Sequence, residues 1–445
     1  MVSQNGRKRI VILGGGFGGS YLAKALTKRS LGLDADVVII DRHNYFTFFP
    51  LLVEAGCGSI EPRHSTVPIR EFAPKAELLM AEIASLDTER QRVHFHLIGD
   101  DQCRAIEYDH LVVALGSVTR VMPEDVVSGV REHALFIKHM SDAITIRDRT
   151  VEQLELANAI DDPEERRRLL HFVIVGGNVT GIEVVGELEV FVREASALYR
   201  NISDDDITFT VYEFNERLLA ALPENLSRWA TKQLAGRGIE IHTGAGVKEV
   251  HADHIVDSDG KVVPCSTVIW TAGIAPSPML KQMTGLPLNK FGSLQCECDY
   301  RAVGSENIWG LGDCASVPGP DGKPMPPLAQ IAVRQAPQLA ANIAAVMQGR
   351  PTKPGGVELQ GVLVPLGRHR GVAAIKGIHI HGFFAWAMWR AIYLLKTPRF
   401  GRRMRVLADW TLNAFFRKDY TQLGMNHASR REMVRPHKVH DSDEC

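Results

Sequence analysis

Residues 9–26 read RIVILGGGFGGSYLAKAL: an apolar run, a cluster of glycines, then a stretch of helix formers. The apolar run Ile10 to Leu13 suits a buried parallel strand. Gly14, Gly16 and Gly19 fill a G-x-G-x-x-G frame, with Phe17 and Gly18 inside it. The first glycine permits a tight turn, the second lets backbone approach a pyrophosphate, and the third lets helix pack on strand. An anion seated there would face unpaired N–H groups and the positive end of the helix dipole. A second apolar strand, DVVIID, ends at Asp41. That is about twenty residues beyond the frame, where a carboxylate can accept a hydrogen bond from a ribose 2′-hydroxyl. A glycine frame alone is weak evidence. Bounded by strand, helix and terminal acid, it predicts a dinucleotide cradle.

The pattern returns at residues 171–190, HFVIVGGNVTGIEVVGELEV, followed by ITFTVYEFNERLL at 207–219. Here the frame is Gly176, Asn178 and Gly181, with asparagine in the middle place. Asparagine tolerates unusual backbone angles, but its side chain takes room beside the ligand, so weakened binding stays open as an alternative. The strand ends near Glu213, whose carboxylate would accept from a free 2′-hydroxyl and repel a 2′-phosphate, favouring NADH over NADPH. Two such frames predict an α/β chain with two Rossmann-like dinucleotide-binding domains, one ligand held and one exchanging. Three further strand-to-glycine turns accompany them. HLVVALGS (110–117) carries Ala114 and Gly116, and TVIWTAGIAP (267–276) carries Gly273. In ENIWGLGDCAS (306–316), Gly312-Asp313 offers a carboxylate to a polyol.

The bulk composition narrows the class. A length of 445 residues predicts two to three domains. The net charge of −1 gives no support for general nucleic-acid binding. Seven scattered cysteines with no CxxC pair argue against a disulfide scaffold or a zinc ribbon, suit a reducing compartment, and leave no expected metal. Cys296 and Cys298 read as structural and Cys314 as packing. The apolar start is too short for a signal peptide, and no uninterrupted apolar run is long enough to span a bilayer.

On these residues the chain resembles the two-dinucleotide flavoprotein reductases and, within them, type II NADH:quinone oxidoreductase. The resemblance runs from about residue 8 to about residue 420. It is carried by the two glycine frames and by FFPLLVEAGCG (48–58), LVVALGS (111–117), GGNVTGIEVVGEL (176–188), WTAGI (270–274), GLGDCA (310–315) and PPLAQIAVRQ (326–335). It implies that the first frame holds FAD, that Asp313 contacts the ribityl chain, and that the second frame holds NADH. It also implies that Glu183 lies near the nicotinamide and flavin rings, and that the segment from Ala329 lines a quinone site. The family pattern there is AQxAxQ. This chain keeps Ala329, Gln330 and Ala332, but has Arg334 in the sixth place and Gln335 after it. On a helix Gln330 and Arg334 share a face, with Gln335 well round the side. Gln330 is expected to bond a quinone carbonyl or the flavin edge, with Gln335 or Arg334 as second contact.

Relatives that reduce disulfides carry a cysteine pair after the ribose acid, whereas residues 42–63 hold only Cys57. Electrons would therefore pass straight to a small acceptor. Sulfide:quinone oxidoreductase, which needs a redox cysteine pair, and a non-catalytic nucleotide or redox sensor are the alternatives.

From Leu359 to Ala408 there are nine Lys or Arg and no Asp or Glu, and three of the six tryptophans lie in 383–410. Gly382–Leu395 predicts a helix of about 21 Å, short of the ~30 Å bilayer core, ended by Pro398. Leu407, Trp410 and Ala414 then fall at i, i+3 and i+7 with arginines beside them. Short basic helices with one oily face lie in the interface of an anionic membrane, where a lipid-soluble quinone would be met. A homodimer contact is the other reading of these residues, and both can hold. The expectation is a monotopic protein on the cytoplasmic face of the cell membrane. Its expected parts are an FAD domain split between 1–125 and 290–350, an NADH domain at 126–289, a membrane-associating region at 351–425 and a disordered tail at 426–445.

Overall fold

The computed structural model describes residues 7–424; the tail expected at 426–445 lies outside the described residues. The chain alternates apolar strands with helices, and buried parallel pairing follows from strands such as Lys8–Leu13, whose last five residues are buried. Seven strands form one sheet in the order 308–310, 110–113, 8–13, 35–41, 77–87, 92–97, 103–107. The first five are parallel, and the last two add an antiparallel extension. The glycine turn after Leu13 therefore leaves the carboxyl edge of a central strand, where α/β ligands bind. Ile308–Gly310 returns to this sheet beside His110–Val113 after a long excursion.

That excursion holds a second sheet, five parallel strands in the order 134–135, 267–270, 171–175, 208–213, 239–243. Its central strand, His171–Val175, feeds the helix Val179–Ser196 just as Lys8–Leu13 feeds Phe17–Leu26. Within IDDPEERRRLL (160–170) the short helix Pro163–Leu169 forms ahead of this strand, capped by Asp162.

A three-stranded antiparallel sheet at 361–365, 371–375 and 378–382 opens the C-terminal region. It is tied to the second cradle helix through Glu189, whose fully buried carboxylate accepts from Arg193 (2.9 Å), Arg368 (3.0 Å) and Arg237. Two tail helices follow, Phe383–Lys396 and Phe400–Phe415. Among the described residues no helix is long and apolar enough to cross a membrane.

The second tail helix is turned differently from the expected face. Trp410 points into the body, where its indole N–H donates to Glu54 Oε2 at 2.7 Å, and Val406 beside it is fully buried. Ala414 is exposed. An indole in an otherwise apolar seam needs an acceptor, and buried Glu54 supplies it. The outward row is instead Phe400, Met404, Leu407 and Phe415, all exposed, at spacings that share one helix face.

Candidate active site

The carboxyl edges of both sheets open on one cleft of about 890 Å³, at the upper end of ligand-pocket sizes. Gly14, Gly16, Phe17 and Gly18 line it from the first cradle, and Asn178, Val179 and Thr180 from the second. Gly14 has φ +102°, and a Cβ there would lie 2.4 Å from the Ala114 carbonyl oxygen. A Cβ on Gly19 would sit 1.9 Å from the Gly14 carbonyl oxygen, so this glycine lets the helix pack against the turn. At Gly16 nothing lies within 4 Å, so the backbone is bare toward the cleft. The bare backbone at Gly16 leaves a pyrophosphate room to approach the turn.

Each cradle is pinned by the acid that ends its second strand. Asp41 Oδ2 accepts from Gly15 N at 2.6 Å and Oδ1 from His43 N at 2.7 Å. Glu213 Oε2 accepts from Gly177 N at 2.6 Å and Oε1 from Asn215 N at 2.8 Å. Asp41 lines the cleft; Glu213 is buried just behind the Gly176–Asn178 turn.

Asn178 has an ordinary extended backbone, φ −77°, so no unusual angle is needed there. Its side chain folds back: Oδ1 accepts from Gly181 N at 3.1 Å, capping the helix, and Nδ2 donates to the Thr271 carbonyl at 2.6 Å. A glycine would leave that helix end uncapped. A Cβ on Gly181 would lie 1.8 Å from the Gly176 carbonyl oxygen, the same packing relation as Gly19 to Gly14.

Ala114, Gly116, Gly273, Gly312, Asp313 and Ala329 also line the cleft. Asp313 Oδ2 accepts from the Ser117 hydroxyl at 2.7 Å, and Ser117 Oγ in turn accepts from Lys138 Nζ at 2.8 Å. Lys138 was not legible in the sequence, being a single lysine between a two-residue strand and a helix. Burial lowers its pKa, an effect that Asp313 partly offsets.

The acceptor segment forms the helix Ala329–Met347. Ala329 and Ala332 face the cleft. Gln330 and Arg334 share a face, but it is turned to the chain entering the C-terminal sheet. Gln330 Oε1 accepts from Gln360 N at 2.9 Å, and Arg334 Nη1 donates to the Glu358 carbonyl at 3.0 Å. Gln335 is 2% exposed and holds the Gly312 turn, accepting from Gly312 N at 2.8 Å. Neither glutamine borders the cleft in this arrangement, because the helix presents its alanines there and turns the longer side chains to either side.

Glu183 lies one turn into the second cradle helix. Burial, then the neighbouring Glu187 and Glu54, push its carboxyl well above the usual carboxylate range. Burial first and Glu183 second raise the Tyr393 phenol, which comes from the first tail helix. Among the described residues no cysteine lines the cleft. Cys314 is fully buried with its thiol pushed up to about 12 by burial, Cys296 is buried and Cys298 exposed. No group of His, Cys, Asp or Glu that could hold a metal occurs among the described residues.

Residues 8–336 match the sequence profile of the pyridine nucleotide-disulphide oxidoreductases, and residues 359–419 match the NDH2 C-terminal domain. The chain is 29% identical over 422 residues to a probable NADH dehydrogenase of Dictyostelium discoideum, covering 93% of this chain and 90% of that one. It is 29% identical over 420 residues to the type II NADH:quinone oxidoreductase Ndh of Mycobacterium tuberculosis, covering 91% and 88%. Its fold matches that of NDH2 from Plasmodium falciparum, solved in complex with NADH, with TM-score 0.85 at 21% identity, over 93% of this chain and 100% of that one. The sulfide:quinone oxidoreductase of Aquifex aeolicus matches with TM-score 0.69 at 17% identity, over 92% and 95%. With its profile match spanning well over half the chain, and with both glycine turns opening on one cleft, this protein belongs to the pyridine nucleotide-disulphide oxidoreductase family.

Proposed function

We propose that this protein is an FAD-dependent NADH:quinone oxidoreductase that works at a membrane surface without pumping protons. The observation that carries the reading is the shared cleft, lined by Gly14, Gly16, Phe17 and Gly18 from one cradle and Asn178, Val179 and Thr180 from the other. Two dinucleotides entering from opposite sides bring their reactive rings together there, and hydride transfer needs that placement more than acid–base help. When bound, FAD supplies the two-electron acceptor. Gly16 and the helix beginning at Phe17 receive its pyrophosphate, Asp41 its adenosine ribose, and Asp313 its polyol chain. NADH takes the second cradle, with Glu213 favouring the free ribose hydroxyl.

The quinone meets the side of the cleft bordered by Leu328, Ala329 and Ala332. Its reduction consumes two protons, and the Glu183 carboxyl, its pKa raised by burial, is assigned to relaying one of them. Gln330 and Gln335 support this wall, the first by holding the segment at Gln360 and the second by holding Gly312. The exposed apolar row of the tail, flanked by Arg399, Arg402, Arg403 and Arg405, rests on anionic lipid at the cytoplasmic face. The same surface joining two copies is the other reading. The chain divides, in this account, into an FAD part at 1–125 and 290–350, an NADH part at 126–289 and a membrane part at 351–425.

Anaerobic titration of the purified yellow protein with NADH tests the reading. Stoichiometric bleaching of the flavin band, reversed by a soluble ubiquinone analogue, is expected. Bleaching by sulfide alone would point to the sulfide enzyme, a reading already weakened by a cleft without cysteine. No bleaching by either would leave a nucleotide sensor.

A further inference from the structure

Lys138 stands in the cleft as a charged side chain with little covering it in the way of partners. It enters from the segment joining strand Ala134–Leu135 of the second sheet to the helix Met140–Ala159, yet its ammonium bonds to the first-sheet side. Nζ donates to Ser117 Oγ at 2.8 Å, lies 4.0 Å from Asp313 Oδ2, and sits 5.0 Å from the ring centre of Phe49. The last two contacts are a charge pair and a cation–π contact, not hydrogen bonds. An ammonium has three donors, and Ser117 takes one of them. The side chain is 20% exposed, and all four residues border the cleft.

Position decides what this charge can act on. Asp41, the Gly14 turn, Ala114 and Asp313 follow four adjacent parallel strands, 35–41, 8–13, 110–113 and 308–310. Strands are spaced about 4.8 Å apart, so Asp41 and Asp313 stand roughly 14 Å from each other along the sheet edge. A dinucleotide with its ribose at Asp41 and its pyrophosphate at Gly16 therefore extends its other half toward Asp313 and Lys138. Arg42, the other cation bordering the cleft, follows Asp41 at the far end. Lys138 is thus the cation at the flavin end.

We infer that the Lys138 ammonium sets the redox bias of the bound flavin, favouring the reduced ring over the oxidised one. This rests on the proposed function. A flavin that has accepted a hydride carries one more negative charge than the oxidised ring, and a fixed cation in a low-dielectric cleft stabilises that charge. Burial makes the ammonium costly to keep, which is the usual mark of a charge placed for function. Ser117 is a positioning residue: its hydroxyl joins the ammonium to Asp313 and keeps the lysine from folding out of the cleft.

The test is the flavin midpoint potential of the holoenzyme, measured by anaerobic dye-coupled titration for the parent, Lys138→Met and Lys138→Arg. Lys138→Met is expected to shift the equilibrium at least tenfold toward oxidised flavin, about 30 mV lower for a two-electron couple. Lys138→Arg is expected to stay within threefold of the parent. A residue that only helps hold FAD would weaken both redox forms alike and leave the potential unmoved. A Lys138→Met potential within threefold of the parent overturns the inference, and so does a Lys138→Arg shift as large as that of Lys138→Met. If Lys138→Met does not retain FAD, Lys138→Gln is titrated against the same limits. A parent protein that cannot be loaded with FAD overturns the functional reading itself, before any variant is compared.

Discussion

Arg390 of the first tail helix donates through Nη2 to Glu54 Oε1 at 3.1 Å, joining the tail to a buried carboxylate of the first-sheet side. The guanidinium lies 4.6 Å from the Trp386 ring centre and 4.5 Å from that of Trp410, and Trp410 takes the other oxygen of Glu54. One acid thus gathers both tail helices. Removing a single member of a buried pair strands the other charge, so Arg390→Leu should cost about 3–5 kcal/mol. The double variant Glu54→Leu/Arg390→Leu should recover most of that loss. Urea unfolding followed by tryptophan fluorescence measures both, and equal loss in single and double variants would exclude the pairing.

Glu183 supplies a pH signature. Its folded pKa is raised by burial and by Glu187 and Glu54, against an ordinary value of 4.5. Above 4.5 the folded state therefore binds more protons than the unfolded one, and stability falls as pH climbs toward the raised value. Glu183→Gln removes this loss. It should raise Tm at pH 8 and give no gain at pH 4. A gain independent of pH would mean that the fold does not raise the pKa of this carboxyl.

Glu213 should govern coenzyme choice. Replacing it with glutamine keeps an acceptor for Gly177 N but removes the charge that repels a 2′-phosphate. The ratio of kcat/KM for NADH over NADPH is expected to drop about tenfold, near 1.4 kcal/mol. Steady-state rates with both nucleotides give the answer, and an unchanged ratio would count against the role.

Gln335→Leu removes the acceptor of Gly312 N. An unpaired donor in a largely buried turn costs about 1–3 kcal/mol, and that turn carries Asp313. FAD should leave the variant faster, seen as recovery of free-flavin fluorescence on dilution. Release at the parental rate would show that the turn keeps its shape without Gln335.

Phe415 is 82% exposed on the second tail helix. Phe415→Asp should leave Tm unchanged and cut binding to anionic vesicles at least tenfold, since a buried phenylalanine contributes about 1.5–3 kcal/mol. Sedimentation with phosphatidylserine vesicles checks this. Undiminished binding together with a lost dimer would favour the subunit-contact reading.

Both cradles were legible in the sequence because their signals are local. A strand, a glycine turn, a helix and a terminal acid follow one another within about forty residues, and backbone sterics alone demand glycine at positions such as Gly14. The short, basic, aromatic tail helices were legible for the same reason: length and composition are properties of contiguous chain. Helix rotation was not. Whether Trp410 or Leu407 faces outward is decided by Glu54, some three hundred and fifty residues away, whose unpaired oxygen draws the indole inward. Gln330 and Gln335 share that limit, since their hydrogen-bond partners lie on Gln360 and Gly312 rather than on their own helix.

By itself, then, the amino-acid order determined that the chain builds two nucleotide cradles and a tail of two short, basic, aromatic helices. Only the tertiary structure decided that their edges face one cleft, that Lys138 from the segment after strand Ala134–Leu135 reaches Ser117 and Asp313, and that Glu54 binds the tail to the body. The reason is physical. Turn and strand preferences act between neighbours, whereas a buried charge finds its partner only after sheets and helices have brought distant residues together.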